Sequence, residues 1–164
     1  MRHTNGWVSL ILITLLALPP ATALAGLPFE ATLEEMAVGA DHVLVGRVTG
    51  VDMIDGTGKQ VTDPKARTGP GLRNQIRLRI TVNEVLLTNA SRVPPHVYVP
   101  LASHLHYSLG QIQEAHATPS EPRLVLLQGP RFEGIKPGVF MRPLEERQEV
   151  FRLRDAARPH TETP

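Results

Sequence analysis

The segment Ser103-His104-Leu105-His106-Tyr107 holds the residue types whose spacing points most directly to chemistry. In an extended chain, positions i and i+2 face the same side, so His104 and His106 would present two imidazole nitrogens to one zinc or copper ion. Two ligands do not make a site. His96, His116 or Glu114 would have to supply a third, and none of them stands at a recognisable metal-ligand spacing. The chain therefore reads as needing no cofactor, with zinc or copper at His104 and His106 as the alternative. Arg77 and Arg79, two apart on the polar face of one strand, are placed to bind a single anionic group together. The neighbouring carboxylates Glu34-Glu35 and Glu145-Glu146 point in different directions from either a helix or a strand, and read as surface charges. No Gly-x-Ser-x-Gly elbow, His-Glu-x-x-His helix or Gly-x-x-x-x-Gly-Lys-Ser/Thr loop occurs, which argues for a non-enzymatic protein.

The 164 residues include 17 Lys+Arg, 16 Asp+Glu and no Cys. A disulfide framework, a thiolate-held metal, a thiol nucleophile and a Cys-linked lipid anchor are excluded. Arg2 with the apolar run Trp7–Leu18, the break at Pro19-Pro20 and the small-x-small triplet Ala23-Leu24-Ala25 match a secretory leader cut before Gly26. The apolar run is too short to cross a hydrocarbon core of about 30 Å, and no later stretch is long enough, so no membrane span is expected after the leader is removed. Removing 25 of the 164 residues leaves 139 with balanced charge, since Arg2 is the only formal side-chain charge lost. Balanced charge and six aromatic side chains (Phe29, Tyr98, Tyr107, Phe132, Phe140 and Phe151) leave neither a basic groove nor a stacking platform, so no nucleic-acid partner is expected. The expected location is the periplasm or the cell exterior, and the expected partner is a protein or a small ligand.

The elements that must position these residues follow from periodicity. Thr32 with Glu35 forms a capping box ahead of Leu33, Met36, Ala37 and Ala40, predicting a short N-terminal helix. Residues 43–51 read as a strand in which Gly46 and Gly50 mark bends. Residues 53–75, rich in Gly, Pro and polar side chains, read as one long flexible loop. Ile76, Leu78, Ile80 and Val82 alternate with polar residues as a one-sided strand, and Val85-Leu86-Leu87 breaks the alternation as a bulge or a doubly covered stretch. Residues 96–101 read as a strand that Pro100 places at an edge, and Leu124–Leu127 as a strand buried on both faces. Residues 103–122 carry no clear period. Further strands are expected at 139–142 and 149–153, and a solvated tail over 155–164. Asn89-Ala90-Ser91 matches a glycosylation sequon, a pattern short enough to arise by chance.

A helix, the strand Ala40–Val48, a loop, Thr81–Leu86 and later Arg123–Leu127 follow in an order that resembles small secreted proteins, many of them bacterial, with an OB-like barrel similar to netrin and tissue-metalloproteinase-inhibitor modules. The resemblance runs from about Leu33 to Phe140 and implies a mainly β fold, namely a small antiparallel barrel of about five strands with one short N-terminal helix, in a single expected domain of residues 26–154. It also implies a module that binds something. The cysteine-dependent inhibition of those metalloproteinase inhibitors does not carry over, because this chain has no Cys.

Overall fold

A computed structural model describes residues 28–158. The expected leader and its cleavage residues Ala23, Ala25 and Gly26 lie outside the described residues, as does the chain beyond Arg158. Helix α1 (Leu33–Gly39) starts where the capping box sets it: the Thr32 hydroxyl accepts from the Glu35 amide at 3.1 Å and the Glu35 carboxylate accepts from the Thr32 amide at 2.8 Å. Strands β1 (His42–Ile54), β2 (Gln75–Thr88) and β3 (His96–Pro100) form an antiparallel meander, β2 lying between the other two. After helix α2 (Leu109–Ala115), strand β4 (Arg123–Gln128) returns to the free side of β1. The short strands β5 (Glu133–Gly134) and β6 (Met141–Arg142) pair in succession along the other side of β4, and helix α3 (Arg147–Ala157) follows.

The fold is thus mainly β, with a six-stranded antiparallel sheet in the order β3-β2-β1-β4-β5 and three α-helices. It is not closed into a barrel: among the described residues no ladder joins the outer edges of β3 and β5. The expected five-strand barrel with one helix is corrected to this open sheet. Residues 149–153, expected as a strand, belong to α3, whose Val150 and Leu153 lie three apart on the face that packs against Met36, Ala37 and Ala40. Apolar spacing of three outweighs β-branched content here. Residues 155–157, expected in the tail, continue that helix.

Bending comes from β1. Its pairing with β2 slips between Val43 and Leu44, between Val45 and Gly46, and between Val48 and Gly50, so Leu86, Asn83 and Thr49 are the extra residues of three bulges. Gly46 is required where strands close in: a Cβ there would stand 2.7 Å from Ile80 Cγ2 and 2.9 Å from the Thr81 carbonyl oxygen. The curled sheet encloses one core of Leu44, Val48, Leu78, Ile80, Val97, Val99, Val125, Leu127 and Phe140. Val43, Val45, Leu124 and Leu126 point the other way, into a second core under α1 and α3. This is why Leu124–Leu127 reads as an unbroken apolar run, its alternate residues feeding two cores. The bulge at Leu86 lets consecutive Leu86 and Leu87 both pack on the second core. Arg154 of α3 ties the two helices together by donating to the carbonyls of Ala37 and Ala40 at the end of α1, where the last backbone acceptors lack helical partners. Strand β3 is an edge strand, as Pro100 requires.

Candidate recognition surface

The connection from β1 to β2 begins after Ile54 and ends before Gln75; Met53, placed in the loop by composition, is a buried residue of β1. Its glycines, prolines and aspartates make defined turns. The Asp55 carboxylate accepts from the amides of Thr57 and Lys59 and from the Thr57 hydroxyl, and the Asp63 carboxylate accepts from the Lys65 amide. Those hydrogen bonds, led by the Thr57 hydroxyl, hold the Asp55 carboxyl below its ordinary range. Beneath the turns, Val61 and Ala66 pack on buried Met53, Ile76 and Leu109.

Residues 103–110 meet this connection directly. The Thr68 amide donates to the Tyr107 carbonyl, and the amides of Leu109 and Gly110 donate to the carbonyls of Ala66 and Pro64, all at 2.9 Å. Thr68 is buried, and its hydroxyl donates to the Leu105 carbonyl at 2.7 Å. Two segments some forty positions apart in sequence are therefore stitched into one surface over a shared apolar floor. Burial at the same seam pushes the Tyr107 phenol above its usual range. Helix α2 begins at Ser108 with a second capping box, closed by Gln111, and buries Leu109 while Ile112 packs beside it. The Ser108-x-x-Gln111 spacing ahead of Leu109 and Ile112 was the sequence signal for this helix, in a segment without an assigned period. Facing outward are Leu72, with 51% of its surface exposed, Lys65, Arg67, Arg73 and His106.

His104 and His106 are not in an extended chain. The Leu105 amide donates to the Ala102 carbonyl and the Tyr107 amide to the Leu105 carbonyl, which folds the segment around buried Leu105. The same-face geometry of an i, i+2 pair is lost. The His104 ring meets Phe29 edge-on at 4.9 Å, whereas His106 lies against Gly69, whose Cβ, were there one, would be 2.7 Å from the imidazole Nδ1. His96 Nδ1 lies 3.1 Å from the Thr81 hydroxyl, and His116 ends α2. Among the described residues no three His, Cys, Asp or Glu side chains gather as a metal set.

Arg77 and Arg79 do share the outer face of β2, but they have different partners. Arg77 donates to both Asp52 carboxylate oxygens, at 2.9 and 2.6 Å, and its guanidinium lies 5.0 Å from the Tyr98 ring centre. The bond to Asp52 holds the Arg77 proton more tightly still. Arg79 donates from Nη2 to the Thr49 carbonyl at 2.9 Å and stays exposed.

Sequence reasoning missed a polar cluster at the opposite end of β1. His42 is fully buried; its Nε2 lies 3.0 Å from the Gly129 carbonyl and its Nδ1 2.7 Å from the Thr88 hydroxyl. The carbonyl can only accept, so Nε2 carries the proton. The Thr88 oxygen accepts from the Ala90 amide, and its hydroxyl faces Nδ1, to which it donates when the imidazole is neutral. Phe132 covers the imidazole at 4.5 Å, with φ at 56°, a backbone region that side chains other than glycine seldom occupy. Asp41 accepts from the Gly129 amide at 2.7 Å and from the Asn89 side chain at 2.9 Å. The only hint in the sequence was the Asp41-His42 pair at the start of a strand.

No helix among the described residues is long and apolar enough to cross a membrane. No family model matches the chain, and no curated protein or solved structure matches it.

Proposed function

We propose that the protein is an exported, non-enzymatic interaction module that binds a protein or small ligand through the joined surface of residues 55–74 and 103–116. One observation carries the reading: two distant segments of polar, turn-forming sequence are fixed to each other through Thr68, Leu109 and Gly110, while Leu72, Arg73 and His106 are left outside. Loops held on a rigid sheet are where recognition residues usually sit, because the scaffold carries the ordering cost in advance. Export rests on the leader-like residues 1–25. The OB-like resemblance belongs to this proposal too, supported by the β1–β2–β3 meander and the return of β4 to β1 around the core on the sheet's inner face.

The test is to express the tagged protein in its native host and quantify by mass spectrometry what is retained after cross-linking. Two variants are compared, Leu72→Asp with His106→Asp at this surface and Ser91→Asp with Arg92→Asp at the opposite end of the sheet. Loss of a specific partner with the first pair and its retention with the second supports the proposal. The reverse pattern places recognition at the other end and overturns it.

A further inference from the structure

We infer that Arg79 is the centre of a second site, a cleft on the outer face of the sheet that takes a single carboxylate group, either that of a small free acid or that of an acidic side chain. The cleft holds about 210 Å³ and is lined by Gly50, Asp52, Gln60, Arg79 and Tyr98, with Val51 at its floor. Its construction starts with the bulge at Thr49, which turns the Thr49 carbonyl outward to accept from Arg79 Nη2. Gly50 makes the arrangement possible. A Cβ there would lie 2.9 Å from Nη2 and 3.1 Å from Cζ and Nε, so the guanidinium rests flat on bare backbone. Held at one corner and along one face, the guanidinium loses less freedom on binding than a loose arginine, and its Nε and Nη1 hydrogens have no acceptor among the described residues. Every two-pronged edge of a guanidinium includes Nη2, so the Nη2 hydrogen that Thr49 does not take, with the Nε or Nη1 hydrogen beside it, forms the fork that matches the two oxygens of a carboxylate.

Charge selects the valence. Asp52 lines the cleft but is spent on Arg77 through two hydrogen bonds, so Asp52, Arg77 and Arg79 together carry one net positive charge. That suits a monoanion and disfavours a dianion, whose second charge would have no cation left to balance it. Tyr98, the cross-strand neighbour of Arg79, and the amide of Gln60 supply neutral donors at the rim. The cleft shares Gln60 with the 55–74 segment of the proposed recognition surface, but its test at Arg79 is independent of that reading.

The purified protein, labelled on arginine nitrogen, is titrated with sodium acetate at constant ionic strength while the Arg79 Nε–H resonance is followed. We expect saturation with a dissociation constant on the order of 10 mM, as befits one charge-assisted pair open to water. A capped peptide with one glutamate is titrated in parallel. A tighter peptide assigns the site to a partner's side chain, and a tighter acetate assigns it to a free acid. Arg79→Gln should weaken binding at least about tenfold, a loss of one charge-assisted fork. Gly50→Ala meets only the movable end of Arg79, so it should keep the circular-dichroism spectrum of the fold yet also weaken binding. Acetate binding unchanged by Arg79→Gln, no saturable shift at Arg79, or sulfate bound more tightly than acetate would each overturn the assignment.

Discussion

The two ends of β1 use polar residues in opposite ways. At the His42 end, the groove between the β2–β3 and β4–β5 turns holds about 610 Å³, yet its imidazole, its Asp41 carboxylate and the Asn89 amide are all bonded within the protein. At the Ile54 end, buried polarity is confined to Thr68 and backbone amides, and the larger side chains Leu72, Arg73 and His106 stay outside. Room alone does not mark a site. What separates the two ends is whether donors and acceptors remain for a partner once the fold has been satisfied.

The largest expected effect that bears on this contrast is at His42. Replacing it by Ala leaves the Gly129 carbonyl and the Thr88 hydroxyl without their partner and opens a cavity under Phe132, and should cost about 2–4 kcal/mol in chemical denaturation. A cost near zero would remove the ground for calling that end structural. Thr68→Val, which keeps the shape and deletes the hydroxyl bonded to Leu105, should cost about 1–2 kcal/mol. Its losses should concentrate in residues 55–74 and 103–110, visible as amide exchange there before global unfolding. Breaking the Arg77–Asp52 pair, whose side chains are 26% and 22% exposed, with Asp52→Asn should cost under about 1 kcal/mol after solvent screening, and less at high salt. A larger loss would mean that the pair organises the sheet rather than one cleft.

The smallest effect concerns pH. Asp55 is partly exposed, and its carboxyl is held below the ordinary 3.8 chiefly by the Thr57 hydroxyl and then by the amides of Thr57 and Lys59. A depressed carboxyl stabilises its turn above the ordinary value, and that support is lost as the pH falls towards the lowered one. Amide exchange at Thr57 and Lys59, corrected for intrinsic rate, should therefore keep its protection from neutral pH down to about pH 4 and lose it below. Loss of protection already at pH 6 would contradict the carboxylate's role.

Much of the sheet was legible from alternation and from single residues. The capping box at Thr32 and Glu35, the bend at Gly46, the disrupted period at Val85-Leu86-Leu87 and the edge placement by Pro100 each name a local constraint that the fold obeys. Closure into a barrel was not legible. It depends on whether β3 and β5 meet, and β5 has only two residues, too few to show a period. Helix α3 was misread because Val150, Phe151 and Leu153 suit a strand by residue type, and only the partner face on α1 settles the matter. At the proposed recognition surface, the composition of residues 53–75 marked a long flexible loop, not its defined turns or its pairing with residues 103–110, since hydrogen bonds between distant backbone groups leave no trace in side-chain pattern. The same holds for the backbone at His104 and His106: the spacing argument assumed an extended chain, and buried Leu105 imposes a turn there.

The preassembled surface is tested most directly by amide hydrogen exchange at Thr68, Leu109 and Gly110 in the free protein. We expect these amides, donors to Tyr107, Ala66 and Pro64, to exchange at least about a hundredfold more slowly than their unstructured rates. Exchange at unstructured rates, with the β1–β2 amides still protected, would show the two segments to be independent and would contradict a single recognition surface.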